Sequence, residues 1–277
     1  MMQTSASAEI RRALHVEDDF NAQRELERRI DFLGSYLLQS RRRSYVLGIS
    51  GGVDSLVAGA LAQRAVARLR AAGAPATFIA VRLPYGMQRD EADAARCLDF
   101  IAPDEVRTID IRPSVDAMQQ ALTAANVDLG EAAAADFLVG NIKARARMVA
   151  QYAIAGASAG LVIGTDHAAE AVMGFFTKHG DGAADVLPLA GLTKRRVRAV
   201  GLALGAPVEL VAKVPTADLE SLAPLRPDED AFGVGYDTID DFLEGKPVEP
   251  ADAQVILAAY MASAHKRAPA ATPYAQD

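Results

Sequence analysis

The stretch G-I-S-G-G-V-D-S, residues 48–55, constrains this chain most, because an apolar run, a turn of small residues and the start of a helix meet in it. Tyr45, Val46, Leu47 and Ile49 read as a short buried strand. Ser50, Gly51 and Gly52 then let backbone N–H groups face an anion, and the helix that follows points its positive end at the same place. Val53, Leu56, Val57, Ala60 and Leu61 fall at i, i+3, i+4, i+7 and i+8, which is one apolar helical face. The stretch reads as a cradle for phosphate.

Asp54 is the odd residue in it. A carboxylate in that first turn repels a phosphate unless a cation lies between them, and hard oxygen ligands suit Mg2+. The alternative is that Asp54 complements the helix dipole and the glycines only turn the chain. The loop lacks the lysine of a Walker P-loop and does not fit G-x-G-x-x-G, so neither of those phosphate motifs is present. The pattern S-G-G-x-D-S resembles the pyrophosphate-binding loop of the ATP pyrophosphatase superfamily. That resemblance implies cleavage of ATP to AMP and pyrophosphate.

With 277 residues, 51% of them hydrophobic, the chain can bury one large core or two modest ones; length favours one to two domains, and one domain over residues 1–277 is expected. A net charge of −7 leaves no broad basic surface for nucleic acid. The single Cys97 excludes an internal disulfide and a C-x-x-C metal site. The longest uncharged run, residues 149–165, is short and broken by glycine, and the N-terminus has no targeting pattern. A soluble, cytoplasmic protein without membrane association is expected.

Strands and helices alternate along the chain. A helix over residues 20–38 precedes the first strand, strands are expected at 77–83, 106–111 and 161–165, and a long helix at 130–158. The expected fold is α/β, a doubly wound parallel sheet with helices on both faces. Ligands bind at the carboxyl ends of such strands, where Ser50, Arg82, Leu83 and Thr165 stand.

Three further segments carry chemistry. In the long helix, Leu138, Ile142, Val149 and Tyr152 form a stripe with Arg145 in its gap, which places a charge on the expected buried face. A buried guanidinium meets an acid, a carbonyl or an anionic ligand; the other reading is an Arg snorkelling from the stripe's edge. In G-T-D-H-A-A-E, Asp166, His167 and Glu170 lie within one helical turn, and Glu170 can face the crevice as a second metal ligand. The polar loop at 177–185 follows, with Lys178 as a phosphate-neutralising cation and Asp181 or Asp185 as proton acceptors, or all three as ordinary surface and turn residues. Finally, a helix expected after Thr193 starts with Lys194, Arg195 and Arg196. Three cations there oppose the helix dipole, so a bound anion would explain them, with Lys194 as the phosphate contact; the other reading is a solvated basic turn that tolerates the dipole.

Taken together with R-L-P-Y-G-M-Q-R-D-E-A-D-A (82–94), G-N-I-K-A-R-A-R-M (140–148), G-F-F-T-K-H-G-D-G-A-A-D (174–185), K-V-P-T-A-D-L-E (213–220), Y-D-T-I-D-D-F-L-E-G (236–245) and H-K-R-A-P (265–269), the chain resembles the ammonia-dependent NAD synthetases. The resemblance runs in order from about residue 32 to 269. It implies adenylation of the nicotinate carboxylate of deamido-NAD by ATP with Mg2+, release of pyrophosphate, and displacement of AMP by ammonia. It also implies a homodimer with each site near the subunit interface. Carried over by motif, ATP contacts fall on Gly48, Ile49, Ser50, Gly51, Gly52, Val53, Asp54, Ser55, Arg82, Thr165, Lys194 and Thr216, and Mg2+ on Asp54 and Glu170. Deamido-NAD contacts fall on Arg145, Lys178, Asp185, His265 and Lys266. Departures from the family pattern are Ala183 in the polar loop, Gly235 before the Tyr236 motif, and a tail reduced to Thr272, Pro273 and Tyr274.

The implied chemistry needs no nucleophile triad. In-line attack at the α-phosphorus asks for positioning and charge neutralisation, which a metal with Lys178 and Lys194 supplies, and Asp181 is a candidate base for ammonium. Asp54, Lys178, Asp181 and Lys194 are thus the expected catalytic set. The chain is too short for a fused glutaminase as well. Two competing functions are a different amidating synthetase with the same loop, against which the 82–94 and 174–185 motifs argue, and a non-catalytic nucleotide sensor, against which the retained Asp54 and Glu170 argue.

Overall fold

The computed structural model describes residues 2–86, 91–217, 219–222 and 226–274. Met87, Gln88, Arg89 and Asp90 of the 82–94 motif, and Asp218 of the 213–220 motif, lie outside the described residues. Strands β1 (Ser44–Gly48), β2 (Thr77–Arg82), β3 (Glu105–Thr108) and β4 (Gly160–Val162) form a parallel sheet in the order β3-β2-β1-β4. Val46 stands opposite Ile79 on one side and Val162 on the other. The chain thus leaves β1 in one direction to build β2 and β3, then crosses to add β4 on the opposite side. That reversal opens a crevice beyond the carboxyl ends of β1 and β4.

The helices are α1 (Met2–Ala13), α2 (Ala22–Gln39), α3 (Val53–Ala71), α4 (Glu91–Ile101), α5 (Arg112–Ala124), α6 (Ala132–Ala157), α7 (Ala168–Met173), α8 (Lys194–Ala203), α9 (Val208–Val211), α10 (Asp228–Phe232), α11 (Tyr236–Leu243), α12 (Pro250–Ala262) and α13 (Ala264–Arg267). A short antiparallel pair, β5 (Thr216–Ala217) and β6 (Arg226–Pro227), lies outside the sheet.

Side chains alternate across the strands, so each face needs its own cover. Tyr45, Leu47, Phe78, Ala80 and Leu161 join Leu33 of α2, Leu56 of α3, Cys97 of α4 and Val197 of α8 in one core. Val46, Ile79, Val81 and Val162 join Val115 of α5 with Val139 and Ala155 of α6 in the other. Both faces are therefore dry, which is why the strands read as continuous apolar runs. A third cluster unites Ile10, Val172, Ile239 and Ile256 from α1, α7, α11 and α12.

Three details differ from expectation. β3 ends at Thr108, because Asp110 turns the chain by accepting the amides of Arg112 (2.9 Å) and Gly86 (3.1 Å). β4 ends at Val162, and Ile163 pairs instead with Val186 of the returning polar loop. On α6 the expected stripe splits: Ile142 and Tyr152 are partly buried against the second core, whereas Leu138 and Arg145 are exposed and Val149 is 61% exposed. The helix buries Val139 and Ala155 with the strand residues of the second core, and Gly140, Lys143 and Ala144 where residues 219–221 and the polar loop come close. The reading of Arg145 as an interior charge is thereby corrected. Among the described residues no helix is long and apolar enough to cross a membrane.

Candidate active site

A cavity of about 390 Å3 opens at the carboxyl ends of β1 and β4, in the crevice that the strand order creates. Its floor is the 48–55 loop. Gly51 adopts φ +90°, and the loop is braced by Ser55 Oγ, which donates to the Gly52 carbonyl (3.1 Å) and accepts the Ser50 amide (3.3 Å). Gln151 of α6 accepts the Gly48 amide at 2.7 Å. Gly52, at the N-cap of α3, has no capping side chain, so the first amides of that helix face the cavity without one.

Of the expected contacts, Gly48, Ile49, Ser50, Gly52, Val53, Asp54, Ser55, Thr165, Glu170, Asp181, Thr216 and Lys266 line the cavity. Gly51 turns the loop behind it. Arg82 lies buried at the end of β2, paired with Glu91 at 2.7 Å. Lys178, Arg145 and His265 meet at the surface rather than in the cavity: Lys178 Nζ donates to the His265 carbonyl (2.6 Å) and Arg145 Nη2 to the Lys178 carbonyl (3.2 Å). Asp185 accepts the Val162 amide at 2.7 Å, so it fastens the polar loop to β4. Lys266 Nζ donates to the carbonyls of Gly174 and Phe176, both at 2.9 Å.

At the heart of the site, Asp54 at the start of α3, His167 and Glu170 at the start of α7 and Lys194 at the start of α8 converge. Lys194 is fully buried, with Nζ 2.8 Å from Asp54 Oδ2, 3.7 Å from Glu170 Oε1 and 4.8 Å from the centre of the Tyr236 ring. Burial works against its charge, but the Asp54 and Glu170 carboxylates prevail and hold the ammonium above its usual range. Burial likewise works against an ionised Asp54, and Lys194 with His167 outweighs it, so Asp54 stays a carboxylate. Glu170 is pushed well up by burial, only partly offset by Lys194. His167 is lowered, first by burial and then by Lys194. Its Nδ1 accepts the Glu170 amide (3.4 Å), and its Nε2 lies 3.2 Å from Lys194 Nζ and 3.4 Å from Asp54 Oδ1. Asp166 is raised to about 8 by burial and by the neighbouring charges of Asp181 and Asp54.

The donor set suits a hard cation. Ligand atoms of Asp54, His167 and Glu170 lie within 4.8 Å of one another, and Asp54 Oδ1 is buried without a hydrogen bond. Two carboxylate oxygens beside a phosphate cradle fit Mg2+.

Arg195 and Arg196 do not await an anionic ligand. Arg195 pairs with Asp241 (2.9 Å) and Glu244 (3.0 Å), Arg196 with Glu244 (3.3 Å), and Asp240 accepts the amides of Lys194 and Arg195. The acidic face of α11 is the anion at the start of α8, and of the three cations only Lys194 is directed at Asp54 and Glu170. Sequence reasoning missed Lys213, whose Nζ is 2.7 Å from Asp93 and donates to the Gly51 carbonyl (3.3 Å), though it opens the quoted 213–220 motif. It also missed Gln151 and Asp228, cavity residues that carried no local signal.

A family model for NAD synthase matches residues 25–270. The chain is 60% identical over 267 residues to the NH(3)-dependent NAD(+) synthetase of Paraburkholderia phytofirmans, covering 96% of this chain and 93% of that one. It is similar to the crystal structure of NAD+ synthetase from Burkholderia pseudomallei, with a TM-score of 0.84 and 57% identity over 96% of this chain and 97% of that one. It is also similar to the NMN synthetase of Francisella tularensis, with a TM-score of 0.79 and 34% identity over 92% of this chain and 99% of that one. Sheet order, phosphate cradle and a match over nearly its whole length agree: this chain belongs to the NAD synthase family.

Proposed function

We propose that the chain, acting as one domain in the cytoplasm, is an ammonia-dependent NAD synthetase, a ligase that amidates deamido-NAD with ATP in the last step of NAD biosynthesis. The observation that carries this reading is the Asp54–Lys194–Glu170 cluster beneath a phosphate cradle that lacks a Walker lysine. ATP is read as lying on residues 48–55, with its phosphates towards Lys194 and with Arg82, Thr165 and Thr216 as further contacts. Asp54 and Glu170 would hold Mg2+, which supplies neutralisation of the triphosphate charge.

A nicotinate carboxylate oxygen of deamido-NAD attacks the α-phosphorus, and the bond to pyrophosphate breaks. Ammonia then attacks the acyl carbon, a carbon–nitrogen bond forms, and AMP leaves with the carbonyl–oxygen bond pair. Asp181, at the cavity wall, takes the proton that ammonium must shed first. Arg145, Lys178 and His265 form a polar rim beside the polar loop, and with Lys266 and Asp185 they are assigned to deamido-NAD. A second copy of the chain is read as covering the outward α6 stripe and completing that rim.

Purified protein with ATP, Mg2+, ammonium and deamido-NAD should yield AMP and pyrophosphate in step with NAD; accumulation of ADP refutes the mechanism. Nicotinic acid mononucleotide in a parallel reaction tests the preference for a dinucleotide. Asp54→Asn and Glu170→Gln should each lower kcat/KM by at least about a thousandfold, about 4 kcal/mol, while circular dichroism stays unchanged. Retained turnover in both variants would make the two carboxylates structural only.

A further inference from the structure

The described residues of the segment 213–222 contribute Lys213, Thr216, Leu219 and Glu220 to the cavity wall. The segment's own secondary structure is slight, a two-residue pairing of Thr216 with Pro227 and Ala217 with Arg226. So small a ladder holds nothing alone. The face of α6 supplies the restraint. Asp136 accepts two successive amides, those of Ser221 (2.9 Å) and Leu222 (2.7 Å). Gly140 has no side chain there, and a Cβ on it would stand 3.2 Å from Leu219 Cβ. One turn on, Lys143 is 3% exposed, and its Nζ donates to the Leu219 carbonyl (2.7 Å) and Ser221 Oγ (2.8 Å) while lying 4.5 Å from the centre of the Tyr85 ring. A buried ammonium must have its N–H groups met, and here a carbonyl and a hydroxyl of the segment meet them.

We propose that Lys143 is a positioning residue: with Asp136 it latches residues 219–222 to α6 and so holds residues 213–216 against the nucleotide. The latch rests on the reading of this cavity as the ATP site. It acts through the strap, so its loss weakens ATP binding and leaves the chemical step intact. Asp136, Gly140 and Lys143 thus meet residues 219–222 along one face of α6.

The test uses the full chain with Lys143→Met and, independently, Asp136→Ala. Amide exchange followed by mass spectrometry, without nucleotide, should speed up by about tenfold or more in the peptide spanning 213–222, with sheet and α3 peptides unchanged. In the same variants KM for ATP should rise about tenfold while kcat stays within about twofold. Unchanged exchange in that peptide overturns the proposal. So does a loosened strap with an unchanged KM, and so does exchange that speeds up throughout the protein together with a fall in kcat, the mark of a merely structural lysine. If the strap loosens in both variants and the wild type shows no ATP-dependent turnover, the latch stands and the function proposed above fails.

Discussion

Asp166 illustrates how a site can work against its own fold. The carboxyl sits among Asp54 and Asp181 in a half-buried position, and burial with those neighbours raises it to about 8. A folded-state value above the unfolded one, near 4, means that the native protein binds the proton more tightly; stability is then fully present below about pH 4 and is lost as pH rises through about 8. The span sets a ceiling of about 5 kcal/mol, and partial exposure of the side chain brings the expected effect to about 2 kcal/mol. Asp166→Asn should therefore be more stable than wild type at pH 8.5 by about that much, with the advantage shrinking towards pH 4.5. Urea unfolding of both proteins in metal-free buffer across that range checks it, and an advantage that does not change with pH refutes it. At this scale the sequence singled out Asp54, because a carboxylate beside a phosphate turn is chemically odd wherever the chain later goes, and Glu170, one helical turn after Asp166 at a strand end; the fold brings the two together. Lys194 was legible as a cation, but its partner 140 positions away was not.

Elements decide what those residues can reach. The 48–55 loop works only because Gly51 takes φ +90° while the first turn of α4 presses against it, and a Cβ there would lie 2.9 Å from the Ala94 amide nitrogen. Gly51→Ala should cost at least about 2 kcal/mol from backbone strain alone and displace the amides that face the phosphates. A thermal melt lowered by several degrees together with loss of turnover is expected; a variant with wild-type melt and activity would show that the loop tolerates another path. The start of α8 teaches the converse. Its first-turn cations called for an anion, and that inference was sound, but the anion is the acidic face of α11. Helix-dipole reasoning specifies a sign of charge and cannot specify whether a ligand or another helix brings it.

Exposed large hydrophobics among the described residues include Leu138 and Val149 on α6, Val106 in the edge strand β3, Ile109 just after it and Met118 on α5. Arg145 stands in line with Leu138 and Val149, three turns of one outward face. If a second copy covers it, size-exclusion chromatography with light scattering should report twice the mass of one chain, and Leu138→Glu with Val149→Glu should halve it, since each buried charge costs several kcal/mol. A wild-type protein that elutes as a single chain at micromolar concentration refutes the dimer and returns Arg145 to an ordinary surface role.

By itself the sequence determined the local elements and the chemical type of the site. Apolar runs ending in small-residue turns can only be buried strands feeding helices, so β1, α3 and the cradle between them followed from spacing alone, and the thiol and charge counts excluded whole classes of function. Tertiary structure decided which faces and charges meet. Helical periodicity finds an apolar stripe on α6, but packing splits it: Ile142 and Tyr152 lie against the core, Leu138 and Val149 stay outside, and Gly140 and Ala144 are buried where the 219–222 segment and the polar loop come close. Lys194, Asp54 and Glu170 converge because three helices start at one crevice, and that convergence depends on strand order, a long-range property that no window of sequence encodes.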